Sequence, residues 1–314
     1  MLNIKEMTKF VMMSSSRLKI FLLSAVLTIS FAACGEGKVD VTEAKYEEKI
    51  VVDAYIYPGS APKDILITRN IQLEKNVDIS SIVISDAVVT ITDVESGRVY
   101  KLDFDPQEFT YRYNGGDWKV AYGKTYRLDV SASIDGKALS TYALTTTPST
   151  DLKADMKDLG HWQYRPVDAA GNVRKIDVRF APAIGPAFYA LSITALDASP
   201  ASFIYDNAYH GDIDSADVID DFDRYRHEYT WLQNIKPGVQ SLNFEVEWHA
   251  VWFYGKYRAI IYGGDKNFKD FLLTNREVQE MDGNFHEPRL HMNGDGIGIF
   301  GSAVTDTVYF TIGR

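Results

Sequence analysis

The chain has 314 residues, 46% of them hydrophobic and 13% aromatic, and its 33 basic and 43 acidic side chains give a net charge of −10. Nucleic-acid binding requires a basic surface that displaces counterions from phosphates, so this balance excludes a typical nucleic-acid partner. It also disfavours attachment to anionic lipid through protein charge. The length exceeds one typical domain and predicts two.

A short apolar run near the N-terminus ends at the single cysteine of the chain. Residues 20–31 are apolar or small, and Ala32, Ala33 and Cys34 follow them. A membrane-spanning helix needs about 20 apolar residues, so this run is too short to stay in a bilayer. Its length suits the apolar region of a secretory signal peptide, with Arg17 and Lys19 as the positive segment ahead of it. We predict that residues 1–33 form a signal peptide that is cleaved between Ala33 and Cys34.

Cys34 is the predicted site of lipid attachment. The tetrapeptide Phe31-Ala32-Ala33-Cys34 resembles the lipoprotein box, in which an aliphatic residue and two small residues precede the cysteine. One acyl chain binds a membrane only marginally, whereas the two or three chains of a bacterial lipoprotein give lasting attachment. A free cysteine near an ordinary cleavage site is the alternative. Residues 34–45 would form a polar tether, and with no second cysteine the protein must fold without disulfides.

Residues 46–148 contain short segments that alternate between apolar and polar side chains. The clearest is 126–134, which ends at Asp135-Gly136, a pair typical of a two-residue hairpin turn, before 137–147 returns. Further strands are predicted at 50–57, 65–71, 87–94, 98–104 and 109–113. Around seven short strands in about 100 residues predict an Ig-like β-sandwich.

Residues 155–314 form the second predicted domain, after a boundary at Pro148. Strands are predicted at 174–180, 188–195, 241–249, 251–262 and 307–312. Residues 267–281 instead place Phe268, Phe271, Leu272 and Val278 at helical spacing. We therefore predict a mostly β fold: an N-terminal Ig-like β-sandwich followed by a second β-sandwich-like domain with one amphipathic helix.

Two segments carry residue types that bind metals, but neither has the required spacing. The acidic loop at 206–223 invites a calcium interpretation, yet Asp217 stands where a calcium loop needs glycine, so a solvated loop is favoured. His286 and His291 are too far apart for a zinc-binding helix, and Pro288 would break that helix. We expect no metal site and no cofactor, and calcium at 206–223 stays open.

Three further features have a structural and a functional interpretation. Trp248, His249 and residues 252–254 could stack on sugars, but strand alternation places Trp248 in the core and His249 on the surface. The glycine-dense residues 294–301 could approach a ligand, but a bent strand is favoured. Glu245 and Glu247 are two acids among many, so no glycosidase pair can be assigned. No nucleophile elbow, phosphate loop or dinucleotide fingerprint is present, and no catalytic residue is predicted.

Several blocks together resemble a Bacteroidota lipoprotein family catalogued as domain of unknown function 4249. The blocks are residues 49–56, 85–91, 123–128, 285–288 and 293–301, and the resemblance extends over residues 46–314. Members of that family are expected beside TonB-dependent outer-membrane transporters, so the resemblance implies an accessory role in nutrient uptake. Many members have additional cysteines, which this chain lacks, so no disulfide is implied.

These observations lead to one main hypothesis and two alternatives. We expect an outer-membrane lipoprotein, held by lipidated Cys34, that acts as a non-enzymatic binding or accessory component and docks on a transporter. An envelope hydrolase acting on glycan or peptide is one alternative. A surface structural or adhesin subunit is the other. The face of the outer membrane and the ligand stay open.

Overall fold

The computed structural model describes residues 47–71, 79–207, 222–232, 238–278 and 290–314, and strands dominate their regular structure. The predicted mostly β fold is confirmed. The strands are β1 (Ile50–Ile56), β2 (Leu66–Arg69), β3 (Val88–Asp93), β4 (Val99–Asp105), β5 (Thr110–Arg112), β6 (Thr125–Ile134), β7 (Lys137–Thr146), β8 (Lys153–Ala154), β9 (Asp158–Gln163), β10 (Ile176–Ala181), β11 (Phe188–Ala195), β12 (His227–Leu232), β13 (Leu242–Val246), β14 (Gly255–Gly264), β15 (Asn293–Gly294) and β16 (Gly296–Gly313).

Helices are few and mostly short among the described residues. The α-helices are α1 (Ile79–Ile82), α2 (Phe222–Arg226) and α3 (Lys266–Val278), and 3-10 turns occupy Pro200–Ser202 and Trp248–Ala250. None of the helices in the described ranges is long and apolar enough to cross a membrane.

The strands form one large sheet and two smaller sheets. The large sheet has the order β12-β11-β14-β16-β1-β2, with β9 also paired to β16. The six-stranded sheet has the order β15-β7-β6-β3-β4-β5, and the three-stranded sheet the order β13-β10-β8. Each small sheet packs on the large one, which produces two sandwiches side by side.

Strand β16 runs through both sandwiches. Its first residues pair in parallel with β1, from Ile50 opposite Gly296 to Ile56 opposite Ser302. Its later residues pair antiparallel with β14. The glycine-dense residues 294–301 therefore lie mostly in a strand, as favoured from the sequence.

The two hydrophobic cores lie on the same face of the large sheet. The first core lies between the large sheet and the six-stranded sheet. Strands β1 and β2 of the large sheet contribute Ile50, Val52, Ala54, Ile56 and Ile67, and strands β3 and β6 of the six-stranded sheet contribute Val89, Ile91, Leu128 and Val130. The second core lies between the large sheet and the three-stranded sheet. Strands β11, β14 and β16 of the large sheet contribute Leu191, Ile193, Ala259, Ile261, Val308 and Phe310, and strands β10 and β13 of the three-stranded sheet contribute Val178, Phe180 and Phe244. Phe300 of β16 belongs to the first core and Phe310 to the second.

Residues Glu47–Arg314 form one compact unit. Strands β15 and β16, late in the chain, pair with strands of the first sandwich. The division into domains at 46–148 and 155–314 stays a prediction.

Helix α3 is the amphipathic helix predicted at 267–281, and its residues 279–281 lie outside the described part of the chain. Asp265 caps it, since its Oδ1 accepts the backbone N–H of Phe268 at 3.0 Å. The Phe268 ring packs on the face of the large sheet opposite the cores. Its centre lies 4.8 Å from the centre of the Tyr55 ring and 5.3 Å from that of the Phe188 ring. The helix thus covers one end of this outer face.

The predicted strands at 241–249 and 251–262 are among those whose bounds differ in the structure. The strand predicted at 241–249 ends at Val246, because Trp248 enters a 3-10 turn and its indole N–H donates to the carbonyl of Arg174 at 2.7 Å. The strand predicted at 251–262 begins only at Gly255, because the backbone of Tyr254 bonds to Ser202 instead of to the sheet.

Candidate functional site

The outer face of the large sheet carries a groove formed by β1, β14 and β16. Tyr55 points away from the first core because its strand neighbours Ala54 and Ile56 point into it. On β14, Ile260 and Tyr262 alternate with buried Ala259 and Ile261 and therefore face the same outer side. The outer face thus collects tyrosines from strands that are about 200 residues apart in sequence.

We call this cavity the tyrosine groove. Its volume is about 280 Å³. Its floor is formed by cross-strand pairs, with Ile260 opposite Thr307 and Tyr262 opposite Thr305. The lining residues are Tyr55, Tyr57, Ser60, Ala61, Pro62, Lys63, Ile260, Tyr262, Thr305 and Thr307.

The rim of the tyrosine groove, residues 60–63, is held by the backbone of the first sandwich. Val120 N–H donates to the carbonyl of Ser60 at 3.0 Å, and Tyr113 N–H donates to the carbonyl of Pro62 at 2.8 Å. Lys63 is exposed on this rim, with its Nζ 3.3 Å from Asp64 Oδ2. The rim therefore has a fixed backbone and an accessible ammonium group.

The phenols of the tyrosine groove are protonated at neutral pH, and burial raises their pKa above the ordinary 10.0. Burial raises the pKa of Tyr57 to about 12, with Tyr262 and Asp53 acting in the same direction. Burial also raises the pKa of Tyr55, and that of Tyr262, where nearby Arg258 partly offsets the increase. At neutral pH each phenol can both donate and accept a hydrogen bond.

The phenols of the tyrosine groove are available to a ligand. Among the described residues, the hydroxyls of Tyr55, Tyr57 and Tyr262 have no hydrogen-bond partner, and solvent reaches them. Arg258, two residues before Ile260 on the same side of β14, has a buried Nε with no hydrogen-bond partner in the described part of the chain. The three phenols therefore offer unused hydrogen-bonding capacity to a ligand, whereas the buried Arg258 Nε lies outside the groove lining and does not.

A second, wider cavity of about 580 Å³ lies around Trp162, between β9 and β10, and we call it the tryptophan groove. The Arg174 guanidinium lies 5.2 Å from the Trp162 ring centre, and the indole N–H donates to the carbonyl of Leu159. Lys175 binds Glu245 at 2.8 Å and Glu247 at 2.6 Å. The principal polar groups here are therefore already paired with each other, unlike those of the tyrosine groove.

The comparison with known families covers nearly the whole described fold. The family model described as Domain of unknown function (DUF4249) matches residues 36–307. The chain belongs to the DUF4249 family. The family resemblance inferred from the sequence blocks is therefore confirmed, while the Bacteroidota origin stays a prediction.

Solved structures similar to this DUF4249 chain include two adhesins. One is a tetra-tandem repeat from the extending region of a large adhesion protein, at 12% identity and a TM-score of 0.23, with 85% of this chain and 49% of that chain covered. The other is a 1.5-MDa bacterial ice-binding adhesin, at 11% identity and a TM-score of 0.20, with 85% and 64% covered. The chain thus spans about half the length of the first structure. These scores carry no argument about function. No curated protein matches the chain.

Several predicted site residues of this DUF4249 chain lie outside the described residues. They include Ala33 and Cys34, residues 208–221 of the acidic loop, and His286. Lipidation and calcium binding therefore stay predictions. The other histidine of the zinc motif, His291, has its Nε2 at 2.8 Å from Asp270 Oδ2. Across the described ranges, no group of three or more metal-binding side chains is placed to hold an ion.

The aromatic cluster of this DUF4249 chain belongs to the core, as favoured from alternation. Trp248 is 2% exposed and Phe253 is fully buried, whereas His249 is exposed in its 3-10 turn. The structure does not bring Trp248 to a ligand-accessible surface. The aromatic residues Tyr55, Tyr57 and Tyr262 line the tyrosine groove instead, and Trp162 lines the tryptophan groove. The sequence signal for the tyrosines was the alternation itself, which places Tyr55 and Tyr57 on the side of β1 opposite its aliphatic residues.

Proposed function

We propose that this DUF4249 protein is a lipid-anchored component of the bacterial outer membrane that binds a ligand for a TonB-dependent uptake system and performs no catalysis itself. The observation that carries the proposal is Cys34, a single cysteine placed directly after a signal-like apolar run and two alanines. Two or three acyl chains on this thiol would hold an acidic protein at a membrane that its own charge does not favour.

The grooves support a binding role. The tyrosine groove offers aromatic rings, hydroxyl groups and one exposed lysine, which hold a ligand by stacking and hydrogen bonding. Its phenols are protonated at neutral pH, since the ordinary tyrosine pKa of 10.0 already lies well above it and burial raises the pKa further. The accessory role follows from the family resemblance, which associates such lipoproteins with transporters.

Lipid attachment is tested by labelling the full-length protein in its native host with an alkyne analogue of palmitate. The wild type should carry the label and partition into the detergent phase in a detergent phase separation. The Cys34→Ser variant should carry no label and partition into the aqueous phase. Ser24→Ala, a substitution inside the apolar run that keeps Cys34, is the matched control and should label normally. A labelled Cys34→Ser protein would contradict the anchor.

The accessory role is tested by chemical cross-linking in intact cells followed by mild detergent extraction. A TonB-dependent barrel cross-linked to the wild type, and lost with Cys34→Ser, is the expected result. Extraction of the protein alone, combined with cleavage of a glycan or peptide library, would overturn the proposal in favour of a hydrolase. Assembly into fibres would overturn it in favour of an adhesin subunit.

A further inference from the structure

We propose that the tyrosine groove, lined by Tyr55, Tyr57, Tyr262, Thr305 and Thr307, binds carbohydrate, as a mono- or disaccharide unit of a soluble glycan. This inference deepens the binding role proposed above and rests on it. Three properties of the groove carry it: its size, its combination of rings with hydroxyls, and the free hydrogen-bonding capacity around it.

The size of the tyrosine groove suits a small ligand. Clefts for drug-sized ligands occupy roughly 300–1,000 Å³. At about 280 Å³, this cavity lies just below that range, which suits a ligand of one or two sugar rings. One side is open to solvent, so a longer glycan could place one or two rings inside and extend outward.

The lining chemistry matches the two sides of a pyranose ring. A sugar ring has a face of C–H groups, which packs on an aromatic ring, and a periphery of hydroxyls, which need both donors and acceptors. Tyr55, Tyr57 and Tyr262 supply rings with a hydroxyl at the edge, the amphipathic shape that suits such a ligand. Thr305 and Thr307 add two hydroxyls on the floor, beside the apolar side chain of Ile260.

The unpaired groups favour a polar ligand over an apolar one. An apolar molecule would bury the phenols of Tyr55, Tyr57 and Tyr262 without satisfying them, and an unsatisfied buried polar group is costly. A glycan satisfies them, because each of its hydroxyls both donates and accepts. Lys63 on the rim adds an ammonium group that would favour a carboxylated sugar over a neutral one.

The fixed backbone of the groove also supports carbohydrate binding. Two sides are strands of the large sheet, and residues 60–63 are hydrogen-bonded to Tyr113 and Val120 of the first sandwich. A preformed site loses little conformational freedom on binding, which matters for ligands that gain only modest energy from each hydroxyl.

The inference is tested with the full-length protein in detergent. Four trisaccharides serve as probes: maltotriose, cellotriose, N-acetylglucosamine trimer and trigalacturonate. Saturation-transfer NMR detects binding and titration calorimetry measures its affinity. The wild type should bind at least one probe. In Lys63→Gln, the affinity for trigalacturonate relative to the three uncharged probes should fall. No binding to any probe would overturn the inference.

Variants place the bound sugar in the groove. Tyr262→Ala should weaken binding roughly tenfold or more, since it removes a ring and a hydroxyl. Tyr57→Phe keeps the ring and should weaken binding roughly twofold to tenfold, as expected for one lost hydrogen bond. Tyr122→Ala, at an exposed tyrosine of a turn outside the groove, should bind as the wild type does. Unchanged affinity in Tyr57→Phe and Tyr262→Ala, with folding verified by circular dichroism, would overturn the inference.

The two proposals fail separately. Sugar binding is measured in detergent solution and does not depend on the anchor, so Cys34→Ser should bind the probes like the wild type. If palmitate labelling and transporter cross-linking succeed while all four trisaccharides fail, only the ligand class is wrong. If the sugar binds in the groove while labelling fails, only the anchor is wrong.

Discussion

The Thr145 hydroxyl donates a 2.6 Å hydrogen bond to the Asp265 carboxylate, in buried space between the end of β7 and the start of α3. The same carboxylate accepts the backbone N–H groups of Phe268 and Ser302. The Ser302 hydroxyl lies 2.9 Å from Thr145 Oγ1 and donates to the carbonyl of Thr146. One carboxylate therefore joins a strand of the six-stranded sheet, the cap of a helix and the long strand β16.

Asp265→Ala should lower the free energy of unfolding by about 2–3 kcal/mol, because it removes a helix cap and leaves Thr145 without its acceptor. Urea unfolding followed by tryptophan fluorescence measures the loss. Asp155→Ala is the matched control: Asp155 is exposed, its side chain has no hydrogen bond within the described residues, and the change should cost less than about 0.5 kcal/mol. Equal losses in the two variants would show that the buried cluster is not important for stability.

The titration of Asp265 should make the protein less stable as pH rises. Burial raises its pKa above the ordinary 3.8, and hydrogen bonds from Thr145 and backbone N–H groups only partly offset this. The folded state therefore holds the proton more tightly than the unfolded chain. The contribution of Asp265 is fully present below 3.8 and is lost as pH rises through the folded pKa.

Asp265→Asn removes this titration while keeping the shape of the side chain. Urea unfolding at each pH gives the free energy of unfolding of both proteins. From about pH 4 to about pH 7, this free energy should change more favourably in the variant than in the wild type, because only the wild type loses the contribution of Asp265. Parallel stability profiles for the two proteins would contradict the expected effect of burial on Asp265.

The Tyr111 hydroxyl bridges two backbone groups inside the first sandwich. It accepts the N–H of Ala87 at 2.9 Å and donates to the carbonyl of Ile84 at 2.7 Å, and the residue is 1% exposed. Tyr111→Phe keeps the ring but leaves both backbone groups unsatisfied, so it should cost about 1–3 kcal/mol of unfolding free energy. Tyr142→Phe is the control, because the Tyr142 hydroxyl has no hydrogen-bond partner among the described residues. A similar cost at both positions would contradict this assignment.

Structural elements that depend only on residues close together in sequence could be predicted from the sequence. The Asp135-Gly136 pair was predicted to form a hairpin turn, and both residues have positive φ, 51° and 81°, as such a turn requires. The register between β6 and β7 continues up to that turn, with Ile134 opposite Lys137. The strand predicted at 50–57 is β1, in which Ile50, Val52, Ala54 and Ile56 alternate into the core.

The grooves and the sheet connections depend on residues that are distant in sequence. The sequence predicted a strand at 307–312 and favoured a separate bent strand at 294–301, whereas β16 runs without a break from Gly296 to Gly313. Glycines have low strand propensity and conceal the alternation. The tyrosine groove needs Tyr57 beside Tyr262, and this proximity arises only when β1 and β14 pair with the same strand. Residue patterns within one segment contain no information about that arrangement.

Gly298 allows β1 and β16 to pair closely. Its φ of +111° is unfavourable for any residue with a side chain, and a Cβ there would collide with the carbonyl oxygen of Val52. Gly298→Ala should therefore cost about 3 kcal/mol or more, as strained backbone and overpacking add. Gly171→Ala separates the two effects, because Gly171 has φ +87° but open space around it, and should cost only about 1–2 kcal/mol. Urea unfolding of both variants measures the difference, and equal costs would show that backbone strain alone, without the contact to Val52, explains the glycine.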